Sequence, residues 1–258
     1  MGYMLETPMF GLAKAIFKRD FKSQFRRTLF GPLLAFLSPV IYLAVFIFFR
    51  MMFGLPKAEG IPTLPFLFSG IALWLFFSTT LGAIYPGVNA NMGILRKMPV
   101  NPLIFAISAM GMPLLTMGIY LALLLCMSLY FGVPPSWSWL CLPFLVILVG
   151  LFAMGLGLFV CALGIYKRDI IVLLPIILQL GMFVTPIFFP PDIVPAQFRW
   201  AVSINPMAHA VTMFRDALFL GHIPAALSLA ITCGMTLLSW LVGYPLFRRT
   251  MRYAADTI

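Results

Sequence analysis

The sequence predicts an all-α integral membrane protein: six transmembrane helices, an N-terminal amphipathic interface helix, and short outer interfacial or re-entrant helices between spans five and six. Three observations carry this expectation. Of 258 residues, 62% are hydrophobic and 9% charged, too apolar a mixture to hide inside one soluble core. Apolar runs of about 20 residues, the length that crosses a bilayer's hydrocarbon, can be read at 33–53, 64–86, 103–131, 140–165, 170–189 and 224–247. The basic residues gather at alternate ends of these runs, so the net charge of +10 points away from nucleic acid and toward membrane topology. Little chain remains for a soluble unit, and 1–258 reads as a single membrane domain.

The arm at 10–31 places Lys14, Lys18, Lys22 and Arg26 every four residues beside Ala13, Phe17, Phe21 and Phe25. Neighbouring basic and apolar stripes describe an interfacial helix, either an anchor to anionic lipid or a docking surface for a cytoplasmic partner. The run that follows is too long for a signal peptide and has no small-residue cleavage site after it, so it reads as a retained helix. Span one carries Tyr42, Phe46, Phe49 and Phe53 on one stripe, with Arg50 near its outer end, where it could snorkel to phosphates. Span two carries Trp74, Phe77, Ser78, Leu81 and Tyr85 on another. In a chain that is 15% aromatic, such stripes serve packing against lipid or other helices as well as a channel.

The loop at 87–102 holds Arg96 and Lys97. Lys167 and Arg168 follow span four, and Arg248, Arg249 and Arg252 follow span six. With six spans these clusters share one side with the N-terminal arm, leaving Arg50, Lys57, Arg199 and Arg215 opposite. The positive-inside rule then places both termini in the cytoplasm.

Span five, "DIIVLLPIILQLGMFVTPIFFPP", contains Pro175 and Pro186 and ends on Pro190 and Pro191. Each interior proline deletes a backbone hydrogen bond, tolerated in lipid only where protein or a water-filled cavity covers the gap. The stretch from Asp192 to Pro224 is too interrupted to cross yet keeps Phe198, Trp200, Val202, Ile204 and Met207. Short helices in the outer interface fit it, the second starting at Asn205-Pro206, since asparagine suits an N-cap and proline a first turn. Arg215 and Asp216 are adjacent, so on a helix they face different ways and need not pair. Cys126, Cys141, Cys161 and Cys233 lack metal-ligand spacing and read as buried small hydrophobes. His209 and His222 stand apart from carboxylate or cysteine partners and read as interfacial filler. No metal site is expected.

The segment "YKRDIIVLLPIILQLGMFVTPIFFPPDIVP" followed by "INPMAHAVTMFRDALFLG" resembles type-2 ABC exporter permeases of the O-antigen, capsular polysaccharide and teichoic acid export family. The likeness extends upstream through "FLFSGIALWLFFSTTLGAIYPGVNANMGILRKMPVNPL" and "LLAFLSPVIYLAVF", and so covers nearly the whole chain. It implies the transmembrane subunit of an exporter of lipid-linked polysaccharide in the bacterial inner membrane. The subunit would be a homodimer working with two ATP-binding subunits. ATP and magnesium would sit on those partners and no cofactor on this chain, in keeping with the lack of a G-x-x-x-x-G-K-[ST] loop. Contact with the ATPase would run through Lys18, Lys22, Arg26, Arg96 and Lys97. Tyr42, Phe46, Phe49, Trp74, Phe77 and Tyr85 would face a channel in which sugar rings stack on aromatic faces. Arg50 would attract the carrier's headgroup, and Pro186, Pro190, Pro191, Phe198 and Trp200 would form an outer gate together with 190–222.

The chain departs from the pattern at Gly82 and Pro86, and "GVNANMGILRKMPV" is weakly charged for a coupling segment. A teichoic acid, drug or lipid exporter of the same family, or an ion-coupled secondary transporter, stands as the alternative. The last requires acids at mid-depth, whereas Glu6, Asp20, Glu59, Asp169, Asp192, Asp216 and Asp256 all lie outside the apolar runs. A membrane-embedded enzyme would cluster acids or histidines on one face, and this sequence does not.

Overall fold

Each of the six apolar runs becomes a helix in the computed structural model, which describes residues 9–26, 31–53, 61–97, 100–191 and 194–257. In chain order the helices are α1 (Met9–Arg26), α2 (Gly31–Phe53), α3 (Thr63–Asn89), α4 (Met92–Lys97), α5 (Leu103–Tyr130) and α6 (Cys141–Tyr166). They continue as α7 (Asp169–Val184), α8 (Arg199–Ile204), α9 (Pro206–Arg215) and α10 (Ala226–Thr257), with no strand among the described residues. Among the described residues four stretches are long and apolar enough to cross a membrane: α3, α5, α6 with the 3₁₀ turn before it, and α10.

Burial sorts these four into layers. Within their most apolar windows, 72% of α3 and 67% of α6 is buried, against 28% of α5 and 22% of α10. So α3 and α6 form the inner layer, with α5 packed on α3 and α10 on α6. The α6–α10 seam is drawn together by missing side chains. A methyl on Gly155 would run into Ser239, and one on Gly243 into the Gly155 carbonyl, so the two backbones approach as small-residue seams allow in lipid. Trp240 Nε1 donates across the seam to the Leu151 carbonyl at 2.8 Å.

Several boundaries differ from the sequence expectation. Interior prolines are not peculiar to span five, since Pro39, Pro86, Pro113 and Pro245 also lie inside helices. Pro186 is not inside α7, which stops at Val184 because Thr185 turns extended (φ −87°, ψ 138°) and the proline after it has no N–H to donate. Instead of ending at 247, α10 runs to Thr257: Phe247, Met251 and Ala254 keep one face buried while Arg248, Arg249 and Arg252 stay exposed. The arm's helix ends at Arg26, and the 87–102 loop is largely helical, with the end of α3 and all of α4 inside it. Of the cysteines only Cys161 is buried, whereas Cys126 and Cys233 lie exposed on α5 and α10, surfaces that protein does not cover.

Candidate functional site

The strongest polar construction in the described chain is built on α9. Its start follows the sequence signal: Asn205 Oδ1 accepts from the Met207 N–H at 3.0 Å, with Pro206 in the first turn. The same Asn205 donates through Nδ2 to Thr185 Oγ1 at 2.9 Å, and that hydroxyl donates to the Gly181 carbonyl at 3.0 Å. One side chain therefore caps α9 and fastens it to the end of α7.

The other end of α9 buries Arg215, which is 4% exposed. Its Nε donates to Ser69 Oγ at 3.3 Å and Nη1 to the Pro186 carbonyl at 2.8 Å. Nη2 donates to the carbonyls of Phe66 at 3.1 Å and Ile187 at 2.5 Å. The guanidinium carbon lies 3.6 Å from the centre of the Phe66 ring, a cation–π contact strengthened by exclusion of water. Space for it depends on Gly70, where a Cβ would stand 2.7 Å from Nη2.

The arrangement has a plain cause. Where the chain leaves α7 at a proline, the carbonyls of Pro186 and Ile187 lose helical partners, and buried acceptors must find donors. A planar fork of five N–H groups can serve several at once. Burial pushes the Arg215 guanidinium down to about 9, with the adjacent Asp216 acting in the opposite direction, so it stays cationic at neutral pH. Burial also raises the Asp216 carboxyl, against the lowering influence first of His222 and then of Arg215.

After Arg215 the helix widens into a π turn, Asp216–Leu220, closed by Gly221 at φ +72°, a left-handed position that favours glycine. The Ala217 carbonyl accepts from Ser138 Oγ at 2.5 Å and the Leu218 carbonyl from Trp139 Nε1 at 3.0 Å. The start of α3, the segment after α7 and the turn before α6 thus converge on α9 and its extension.

A family model described as ABC-2 type transporter matches residues 11–219, from α1 through the π turn. The chain belongs to the ABC-2 type transporter family. It is similar to the O-antigen export system permease protein RfbA of Myxococcus xanthus, 24% identical over 251 residues, which cover 96% of this chain and 95% of that protein. It is also similar to the polysialic acid transport protein KpsM of Escherichia coli, 26% identical over 242 residues, 91% of this chain and 92% of the relative. The capsule polysaccharide export inner-membrane protein CtrC of Neisseria meningitidis serogroup A is 23% identical over 210 residues, 80% and 78% of the two chains.

In this ABC-2 type transporter chain the aromatic residues singled out by sequence separate into groups. Tyr42 donates to Gln179 Oε1 at 3.3 Å and Phe46 stacks on Phe188, so α2 leans on α7 and the segment after it. Trp74 and Phe77 are core rings, each 5% exposed. Phe77 stacks on Phe152 of α6 at 5.6 Å, and Trp74 abuts Gly181 of α7. Tyr85 is half-buried beside Gly164 of α6.

The residues expected to form a gate are likewise divided. Pro186 is buried in the Arg215 cluster, Pro190 and Pro191 are half-buried, and Phe198 and Trp200 are exposed. Lys18 and Lys22 are exposed on α1. Arg26, Phe49, Arg50, Arg96 and Lys97 sit on described helices, but their side chains fall outside the described set, as do Lys57, Glu59 and Asp192 altogether. The arm is fastened through Asn91 and Ser108, which the sequence did not single out: Arg19 Nη2 donates to Asn91 Oδ1 at 3.0 Å, Asn91 Nδ2 to the Gly87 carbonyl at 2.7 Å, and Ser108 Oγ to the Ala13 carbonyl at 3.1 Å. Among the described residues no group of three His, Cys, Asp or Glu side chains could hold a metal.

Proposed function

We propose that this chain is the transmembrane subunit of an ATP-driven exporter that passes a lipid-linked cell-surface polysaccharide, O-antigen or capsule, across the bacterial inner membrane. The observation that carries the reading is alignment over 96% of the chain with a relative named as an O-antigen export permease, supported by relatives named for polysialic acid transport and capsule export. Two copies form the channel and two separate ATP-binding subunits drive it. With α2 and α7 completing the set, six helices cross and both termini are cytoplasmic.

On this reading α1 lies at the cytoplasmic interface with Lys18 and Lys22 toward the partner. Because Arg19 and Asn91 join it to the α3–α4 turn, a push from the ATPase on either element reaches both. At the far end, the Arg215 cluster holds the segment from Thr185 to Ile187 against α3 and α9, while Phe198 and Trp200 lie where a partner copy or lipid can meet them. Export requires that outer segment to move as cargo passes.

The test is reconstitution. The purified chain alone should show no ATPase activity above background, and activity should arise with the cognate ATP-binding subunit. A strain lacking the chain should lose surface polysaccharide and regain it on complementation. Turnover by the lone chain, or normal surface polymer without it, overturns the reading.

A further inference from the structure

Between α8, α9 and the first turn of α10 lies an open pocket of about 350 Å³. Arg199, His209, Thr212 and Ser228 supply its polar wall, with Pro191 and Val202 on the apolar side. The imidazole is already engaged: His209 Nε2 meets the Ser203 carbonyl at 2.9 Å and Nδ1 meets Ser228 Oγ at 3.1 Å. Since a carbonyl only accepts, Nε2 donates to it, and Nδ1 pairs with the Ser228 hydroxyl. Arg199 is pinned differently, by Nε donating to the Val194 carbonyl at 3.1 Å. Among the described residues its two Nη groups have no hydrogen-bond acceptor, and neither does the Thr212 hydroxyl.

The open groups are the two guanidinium Nη donors, which carry the charge, and a hydroxyl that can donate as well as accept. A neutral sugar would leave the guanidinium charge without a counter-charge. An anionic oxygen cluster is the better complement. The described lining residues include no carboxylate that would oppose an anion. The surroundings name its source. Large apolar side chains lie exposed on the same elements, with Phe198, Trp200 and Ile204 around α8 and Ile223 and Leu227 before and within the start of α10. Aromatic and aliphatic side chains beside a cation mark the headgroup level of a bilayer.

We propose that this pocket binds the phosphate ester of a bilayer phospholipid, received by the Arg199 Nη groups and the Thr212 hydroxyl, with the acyl chains lying beside α8. It rests on the function proposed above only in placing α8 and α9 at a bilayer surface.

The experiment is calorimetric titration of the purified full chain in a neutral maltoside detergent. The probes are dihexanoyl-phosphatidylglycerol, dihexanoylglycerol, which lacks the phosphate, and inorganic phosphate. The phospholipid should bind saturably and the phosphate-free lipid should not. Arg199→Gln should weaken binding about tenfold and Thr212→Val severalfold, as expected for losing charge-assisted and neutral hydrogen bonds respectively. Arg199→Lys should restore part of the loss. Both side chains are partly or wholly exposed, and unchanged thermal melting of the variants checks their fold. Equal affinity in wild type and Arg199→Gln, or equal binding of dihexanoylglycerol, overturns the proposal. Inorganic phosphate competing as well as the lipid makes the pocket a free-anion site and overturns the lipid assignment. The titration needs neither partner nor cargo, so a chain that binds the phospholipid but exports nothing would sink the exporter reading and leave this one standing.

Discussion

Arg215 is a buried cation whose hydrogen-bond partners, three backbone carbonyls and one hydroxyl, are all neutral. Removing it leaves the Pro186 and Ile187 carbonyls without this donor, while the Phe66 carbonyl keeps the Ser69 hydroxyl, so Arg215→Gln is expected to lower stability by about 3 kcal/mol, the cost of orphaning buried polar groups, seen as a reduced melting temperature of the detergent-solubilised chain. Arg215→Lys should recover little, because a single ammonium cannot span acceptors on α3 and on the segment after α7. An unchanged melting temperature in either variant would show that the cluster does not hold α9 against α3 and the segment after α7. The neighbouring carboxyl gives a pH signature. Burial raises Asp216 above its ordinary 3.8, so the folded chain holds that proton more tightly than the unfolded one. This contribution is fully present below the unfolded value and is lost as pH rises through the raised folded value. Replacing it by Asp216→Asn should flatten that part of the stability–pH curve, and an identical curve would refute the assignment.

At the scale of elements, Asn205 separates two bonds that one substitution would confuse. Asn205→Asp keeps the oxygen that caps α9 and loses the donor to Thr185, whereas Asn205→Ala loses both. The first is expected to cost about 1 kcal/mol for the side-chain bond, and the second about 1 kcal/mol more for the cap. Equal losses in thermal or denaturant melts would mean that only one bond matters. The cap was legible because Asn-Pro signals a helix start from two adjacent residues. The six apolar runs were legible for the same reason, since each reads its own composition. Arg215 was not, because its partners lie on α3 and on the segment after α7, and neighbours in sequence give no hint of them. The extra turns of α10 were missed because charge suggested an end, while Phe247 and Met251 continue a face whose burial depends on the inner cluster with Ile84 and Leu158. Trp74 and Phe77 show the same limit: helical spacing put them on a stripe, but only the packing of α6 and α7 shows which way the stripe looks.

Across the whole molecule, polar ties concentrate at two ends, with Arg19–Asn91 at the arm and Arg215 at the other. A cysteine introduced by Lys97→Cys should resist membrane-impermeant thiol reagents in intact cells, while one at Gln197→Cys should label from outside. The reverse pattern would invert the orientation. Tethering the segment proposed to lie outside tests whether it moves. A cysteine pair joining the Gln197–Trp200 stretch to the outer end of α2 near Phe49, assayed oxidised and reduced, should stop surface polymer only when oxidised and leave partner-dependent ATPase activity in place. Full cross-linking with undiminished export would reduce the segment to an interfacial anchor.

The early stop of α7 reaches beyond the protein. Its 16 residues span about 24 Å at the helical rise, short of the roughly 30 Å of an average hydrocarbon layer. In the proposed six-span arrangement, so short an apolar helix draws the surrounding leaflets thinner or tilts its neighbours, at a cost that grows with each ångström of shortfall. Acyl-chain length thus becomes a physical variable of transport: in reconstituted bilayers of longer saturated lipids the complex should turn over more slowly than in thin ones, with the slope reduced when Thr185 and Pro186 are replaced by residues that let α7 wind further.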